Sequence, residues 1–272
     1  MKLYILLIML PIGLSSFGQS IYGSISGGIQ RVVSYDAVPS VQMVNSHYSV
    51  FVLNGTRSFS FDYLHHIDVH LGHRVNKKFG YEIEASYIKP NIIEENYYSE
   101  ASFSSQFIQL NPKACWNIKN KENHSIYMKI GALATMGKLI YQQKEIYGPS
   151  HKLVYEYGGD VAVGVNGGIG FSTKISKRIS LFGEVTYTHQ FYSPKYGLQI
   201  VQVIDGDESL SYKNPYHSEM EFGDTQFTPG EDYDINQPQK FYSRNYSLSG
   251  YGISLGITYT LWEKKEEDIP KP

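Results

Sequence analysis

Residues 65–90, HHIDVHLGHRVNKKFGYEIEASYIKP, read as two β-strands joined by a tight basic turn at Asn76-Lys77-Lys78. Side chains on a strand alternate between its two faces. Ile67, Val69, Leu71 and Val75 therefore share one face, and His66, Asp68, His70 and Arg74 share the other. The returning strand repeats the pattern, with Phe79, Tyr81, Ile83, Ala85 and Tyr87 against Glu82, Glu84 and Ser86. A soluble sheet turns such a charged face to water and its apolar face to a core. A transmembrane β-barrel does the reverse, with the apolar face to lipid and the charged face to its lumen. The hairpin fits both, so the rest of the chain decides.

The chain has 272 residues, of which 42% are hydrophobic, 14% aromatic and 18% charged, with 24 Tyr and 25 Gly. The length permits one or two domains, and the abundance of Tyr and Gly points to an all-β chain. Lys and Arg total 24 against 26 Asp and Glu, which leaves no general electrostatic case for nucleic acid as a partner. Met1-Lys2, the apolar run Leu3 to Leu14 and the small residues up to Gly18 read as a secretory signal peptide over 1–18, cleaved before Gln19. The run is too short to span a bilayer as a helix. Cys115 is the only cysteine, so neither a lipidated cysteine after the leader nor an internal disulfide is expected. Beyond the leader no apolar stretch is long enough for a membrane helix. A closed barrel is then the one way for the chain to enter a bilayer, because an open sheet leaves backbone groups unpaired in lipid.

Eight segments carry the period-two pattern: those beginning near Ile21, Tyr63, Phe79, Phe107, Ser125, Val161, Ile179 and Leu248. Each has the roughly ten-residue length of a tilted membrane strand. Pro112 interrupts the fourth and predicts a local bulge, since proline cannot donate to a ladder. The connections alternate strictly. Short turns fall at Asn76 to Lys78, Lys119 to His124 and Ser176 to Arg178, while long connections run over 33–63, 90–104, 137–158 and 192–246. This alternation predicts an eight-stranded antiparallel transmembrane β-barrel over 19–262, with both termini and the short turns in the periplasm and long loops outside. Aromatics gather at the strand ends as interfacial belts require: Phe79, Trp116, Phe171, Tyr259 and Trp262 on the periplasmic side, and Tyr63, Tyr87, Phe107, Phe191 and Tyr251 on the outer side.

On leader, segments and loop alternation together, residues 20–262 resemble the small outer-membrane β-barrel proteins of the OmpA and OmpX kind, especially the barrels abundant in Bacteroidota. The resemblance implies an outer-membrane location, contact with outer-membrane lipid and lipopolysaccharide, and a monomeric barrel. It departs at the end, where such barrels often finish on a terminal aromatic. Here Trp262 is followed by EKKEEDIPKP, which makes 263–272 a charged periplasmic tail too short to be a peptidoglycan-binding domain.

Arg74, Glu82, Glu84, Lys113, Lys129, Glu184 and Asp68 all point inward by this register and predict a lumen charge network that plugs the barrel. His66-x-Asp68-x-His70 has the residue types of a metal site. However, its histidines stand about 13 Å apart on one strand, so a neighbouring strand would have to contribute. GVNGGIG at 164–170 lacks the Gly-Lys-Ser/Thr ending of a phosphate loop, and its glycines are expected to clear space for bulky lumen side chains. His47-Tyr48-Ser49 with Asp62 or a later Glu could serve acyl hydrolysis, but no Gly-x-Ser-x-Gly elbow exists, and no catalytic site is expected.

The outer connections predict hairpins at 49–61 with Asn54-Gly55 in the turn, at 198–212 with Asp205-Gly206, and at 138–159 around Gly148-Pro149. Within the acidic stretch 205–236, Asp232-x-Asp234-x-Asn236 opens like a calcium loop. Gln237 then stands where the turn glycine belongs and Ser243 where the bidentate Glu should be. No resident cofactor or metal is expected beyond that weak Ca²⁺ signal. The expected function is non-catalytic, a structural role or capture of a protein or other ligand through the extracellular loops. The alternatives are a membrane-embedded lipid-modifying hydrolase and a small passive channel.

Overall fold

The computed structural model describes residues 20–33, 40–46, 49–55, 63–95, 99–145, 151–204, 207–208, 219–223, 236–242 and 246–264. Eight strands form the barrel: β1 Ser20–Val32, β2 Tyr63–Arg74, β3 Phe79–Glu95, β4 Ser99–Asn120, β5 His124–Glu145, β6 Ala162–Lys174, β7 Ile179–Tyr192 and β8 Gly250–Glu263. Each pairs antiparallel with the next. β8 returns to β1 in a ladder from Ser20↔Glu263 to Val32↔Gly250, so the sheet closes on itself. Closure leaves the barrel no unpaired edge, the condition for strands in lipid.

The faces sort as the period-two pattern predicts. Ile67, Val69 and Leu71 on β2, Val163 on β6 and Leu255 on β8 are all more than half exposed on the outside. Asp68, Glu82, Glu84, Lys113 and Glu184 are buried inside. An apolar exterior around a polar interior is the polarity of a barrel that spans a bilayer. Among the described residues no helix is long and apolar enough to cross a membrane.

The short turns are built locally. Asn76 accepts at Oδ1 from the backbone N–H groups of Lys78 and Phe79, at 2.8 Å each, and Ser176 does the same for Arg178 and Ile179. At the opposite end β4 and β5 each run for 22 residues and pair out to Ser99↔Glu145. Strand His151–Gly159 takes over from β6 as the partner of upper β5. Pro194–Ile204 then pairs with His151–Gly159, and Glu219–Gly223 and Gln239–Tyr242 follow. A wall of sheet therefore rises beyond the closed ring, as the patterns at 138–159 and 198–212 predict.

Three local expectations are corrected. Pro112 makes no bulge. It stands opposite Ile83 in an unbroken β3–β4 register, and on the β5 side pairing lapses at Asn111 and Pro112 and resumes in step at Lys113↔Gly131. The missing donor thus costs ladder contacts on one side without an inserted residue, and the register shift of β4 falls instead between Asn117 and Lys119. Asn54-Gly55 does not turn a hairpin: Ser49–Gly55 pairs backward with Ser40–Ser46, which puts Gly55 opposite Ser40. The strand takes its partner from the chain before it, which places the link at 47–48. Phe107 does not belong to the outer aromatic belt. It shares parity with Gln109, points inward and is fully buried.

Candidate functional site in the barrel lumen

Three aromatic side chains fill the lower lumen, each lying over a glycine on the neighbouring strand. Tyr22 faces Gly72, Tyr127 faces Gly170 and Phe182 faces Gly256. A Cβ at Gly72, Gly170 or Gly256 would come within 2.1, 2.4 or 2.5 Å of those rings. The glycines of 164–170 therefore do clear space, as expected, with Gly170 giving the Tyr127 ring its place.

The rings hold polar atoms against the charges. Lys129 gives hydrogen bonds to Glu82 Oε1 at 2.9 Å and to Glu184 Oε1 at 2.5 Å. The Tyr22 hydroxyl donates to Glu82 at 3.1 Å and the Tyr127 hydroxyl to Glu184 at 2.8 Å. The Lys129 ammonium lies 5.1 Å from the centroid of the Tyr127 ring and 5.7 Å from that of Phe182. One level higher, Lys113 donates to Glu84 Oε2 at 2.5 Å and Asn111 to Glu84 Oε1 at 3.1 Å. His70 stands between the levels, its Nδ1 3.0 Å from Glu82 and 3.2 Å from Glu84. Its Nε2 is 2.9 Å from Ser26 Oγ, which in turn lies 2.8 Å from Asp68 Oδ2. His66 reaches Asp68 from the same strand at 2.9 Å. A buried charge without a partner is costly, and here each carboxylate finds at least one donor.

The structure thus brings six of the seven sequence-predicted lumen charges, Asp68, Glu82, Glu84, Lys113, Lys129 and Glu184, into one connected network. Arg74 sits lower, its guanidinium 5.4 Å from the centroid of the Tyr22 ring. Small cavities lie among these side chains. One of about 40 Å³ is lined by Ser26, Asp68, His70, Glu84 and Lys113, and one of about 50 Å³ by Tyr22, Arg74, Glu82, Cys115 and Lys129. Each is large enough for a few water molecules and too small for an organic ligand.

Glu84, directly opposite His70, supplies the neighbouring-strand group that a metal site on His66-x-Asp68-x-His70 would need, and ligand atoms of Asp68, His70 and Glu84 lie within 4.8 Å of one another. Those atoms are already engaged by Ser26, the two flanking carboxylates and Lys113, so the donors present make an ion-pair network of the triad. The hydrolase candidates His47 and Asp62, and the calcium-loop residues Asp232 and Asp234, lie outside the described residues. So do the ends of the chain, 1–19 and 265–272.

Above the charges the interior changes character. Gln109, Thr135 and Gln190 form a neutral hydrogen-bonded ring, with Gln109 donating to Thr135 at 2.9 Å and to Gln190 at 3.1 Å. Leu64, Phe107, Leu139, Tyr157, Tyr192 and Leu248 then pack into an apolar cap over the mouth opposite the short turns. Phe107 and Tyr192 meet edge to face at 5.1 Å, and the Tyr192 hydroxyl donates to the Gly137 carbonyl at 2.8 Å. Sequence reasoning missed this cap. Its signal was the inward parity of Leu64, Ile88 and Phe107, where apolar residues replace charged ones at the top of each column.

No known family's sequence model matches the chain, and no curated protein does. Solved structures do. A Neisserial surface protein A structure aligns over 89% of this chain and 97% of its own at 7% identity and a TM-score of 0.40. Ail, the attachment invasion locus protein of Yersinia pestis, covers 89% and 99% at 10% identity and 0.37. A major outer membrane protein from Thermus thermophilus covers 89% and 100% at 12% identity and 0.43. Likenesses at this level carry nothing about activity, and the fold stands on the strand pairing itself.

Proposed function

We propose that this chain is a non-catalytic, monomeric outer-membrane protein whose barrel anchors a raised sheet and loops that bind a partner outside the cell. In this reading the short turns and both termini are periplasmic, the leader is removed, and the wall from upper β4 to Pro194–Ile204 stands in the extracellular medium. The observation that carries the reading is the filled lumen. Among the described residues, paired charges under an apolar cap occupy the interior, which suits a plug rather than a conduction path or a substrate pocket, while the wall above it exceeds what membrane anchoring needs. The wall's outer side mixes charge with apolar side chains: Lys138 bonds Glu156 at 2.5 Å, Lys195 pairs with Asp160, and Glu219 and Glu221 are exposed beside exposed Tyr196, Leu198 and Ile200. The Glu156 carboxylate holds the Lys138 ammonium above the ordinary lysine range.

Lipopolysaccharide around the barrel and a protein at the loops are the partner classes this geometry fits. Purification from gently solubilised membranes tests the binding role, with a co-purifying component lost when residues 195–242 are deleted as the expected result. Large, steady single-channel conductance of the purified barrel in a planar bilayer would overturn the closed-lumen reading and favour the passive channel. Hydrolysis of lipid ester by the pure protein would favour the enzyme.

A further inference from the structure

We propose that the lumen stores one proton on His70, which makes this histidine the fourth cation of the plug and a latch on it. The inference rests on the closed-lumen reading and follows from counting hydrogens. Ser26 has one hydroxyl proton and two close neighbours, Asp68 Oδ2 at 2.8 Å and His70 Nε2 at 2.9 Å. An ionised carboxylate only accepts, so the Ser26 proton belongs between the two oxygens, and Ser26 Oγ is then left to accept from His70 Nε2. On the other side of the ring, Nδ1 faces Glu82 at 3.0 Å and Glu84 at 3.2 Å, and these too only accept. Both ring nitrogens must therefore donate, which is the imidazolium form. A neutral ring protonated at Nδ1 would leave Ser26 Oγ and Asp68 Oδ2 2.8 Å apart with no hydrogen between them, and one protonated at Nε2 would leave Nδ1 facing Glu82 at 3.0 Å with none, unless a carboxyl carried the proton in its place.

The charge balance agrees. The groups around His70 are Ser26 on β1, His66 and Asp68 on its own strand, Glu82 and Glu84 on β3, Lys113 on β4, and Glu184 with Phe182 on β7, with Lys129 on β5 bonded to Glu82 behind them. Four of these are carboxylates, against three full cations: Lys113 and Lys129 in the network, and Arg74 below it on the cavity that Glu82 also lines. A charged His70 answers the fourth and joins the two levels of the network. A neutral ring in that place would leave Glu82, Glu84 and Asp68 without the donor they share.

The test uses the full-length mature protein refolded in detergent micelles with ¹⁵N-labelled histidine, His70 being assigned through its backbone. At neutral pH both ring nitrogens are expected to resonate as N–H nitrogens with slowly exchanging protons. A free lone pair on either nitrogen overturns the proposal, and a proton found on Asp68, Glu82 or Glu84 overturns it equally. The second readout is the temperature at which the folded band is lost in heat-modifiable gel migration. His70→Gln keeps a polar amide yet is expected to lower that temperature, and adding Glu82→Gln is expected to recover much of the loss. A His70→Gln protein as heat-stable as the parent, or a double variant worse than the single one, sinks the latch. If His70→Gln does not fold, the spectrum of the parent protein alone decides. Because neither readout depends on conductance, the latch can fail while the closed lumen stands.

Discussion

The lower lumen and the outer cap are lined by the same inward-facing columns of the same strands, yet one is charged and the other is apolar. On β3 the column runs Glu82, Glu84, Ser86, Ile88, and on β4 from the other end it runs Lys113, Asn111, Gln109, Phe107. The outer face changes at the same height, since on β5 exposed Ile130 and Met136 give way to Lys138 and its ion pair with Glu156, and charge then mixes with exposed Tyr196 and Leu198 on the wall. The difference shows what surrounds the sheet at each level. Where lipid covers the outside, apolar side chains are used there and the narrow interior is filled by charges that neutralise one another. Where water returns to the outside, the interior reverts to an ordinary hydrophobic core. One continuous sheet thus obeys two solvents.

Removing a single charge should break the lower half most severely. Lys129→Met leaves Glu82 and Glu184 without their shared ammonium, at a cost of about 3–5 kcal/mol. Urea unfolding in micelles should show it as a lower midpoint, largely rescued when Glu82→Gln and Glu184→Gln are added, and an unrescued triple variant would count against a charge network. In the cap, Phe107→Ala removes a fully buried ring and should cost about 3 kcal/mol by the same assay. It should also expose the cap to a lumen-directed thiol reagent at an introduced cysteine in place of Leu139, whereas an intact block to reagent would remove the cap as a seal. The smallest expected effects sharpen the contrast between the outer faces. Leu255→Arg on the barrel should destabilise insertion by about 2–4 kcal/mol if its level is deep in lipid. Leu198→Arg on the raised wall should stay within about 0.5 kcal/mol of the parent. Equal penalties would mean that both levels meet the same solvent.

Most of the barrel was legible because alternation is a local property. Ile67 and Asp68 declare opposite faces whatever the rest of the chain does, and the alternation of short and long connections orders the strands. The turn at Asn76 was legible for the same reason, its side chain bonding its own backbone two and three residues on. Phe107 and the Asn54-Gly55 pair were misread because a residue type, an aromatic or a turn former, was allowed to outweigh parity and the nearest available partner strand. Within their own strands Tyr22 and Tyr127 are simply inward-facing residues. That each lies over a cross-strand glycine and donates to a carboxylate on another strand depends on registers that no single strand contains.

The order of residues along the chain was enough to say which side chains face lipid and which face inward, because each strand carries its own alternation. It also supplied seven inward charges that do not balance. Only closure of the sheet decided which of them meet, that Arg74 stacks on Tyr22 while His70 bridges Glu82 and Glu84, and that an apolar cap covers them. Even the bridge from His70 to Glu82 spans 12 positions, and the distances are set by the shared register of eight strands, which local sequence does not encode.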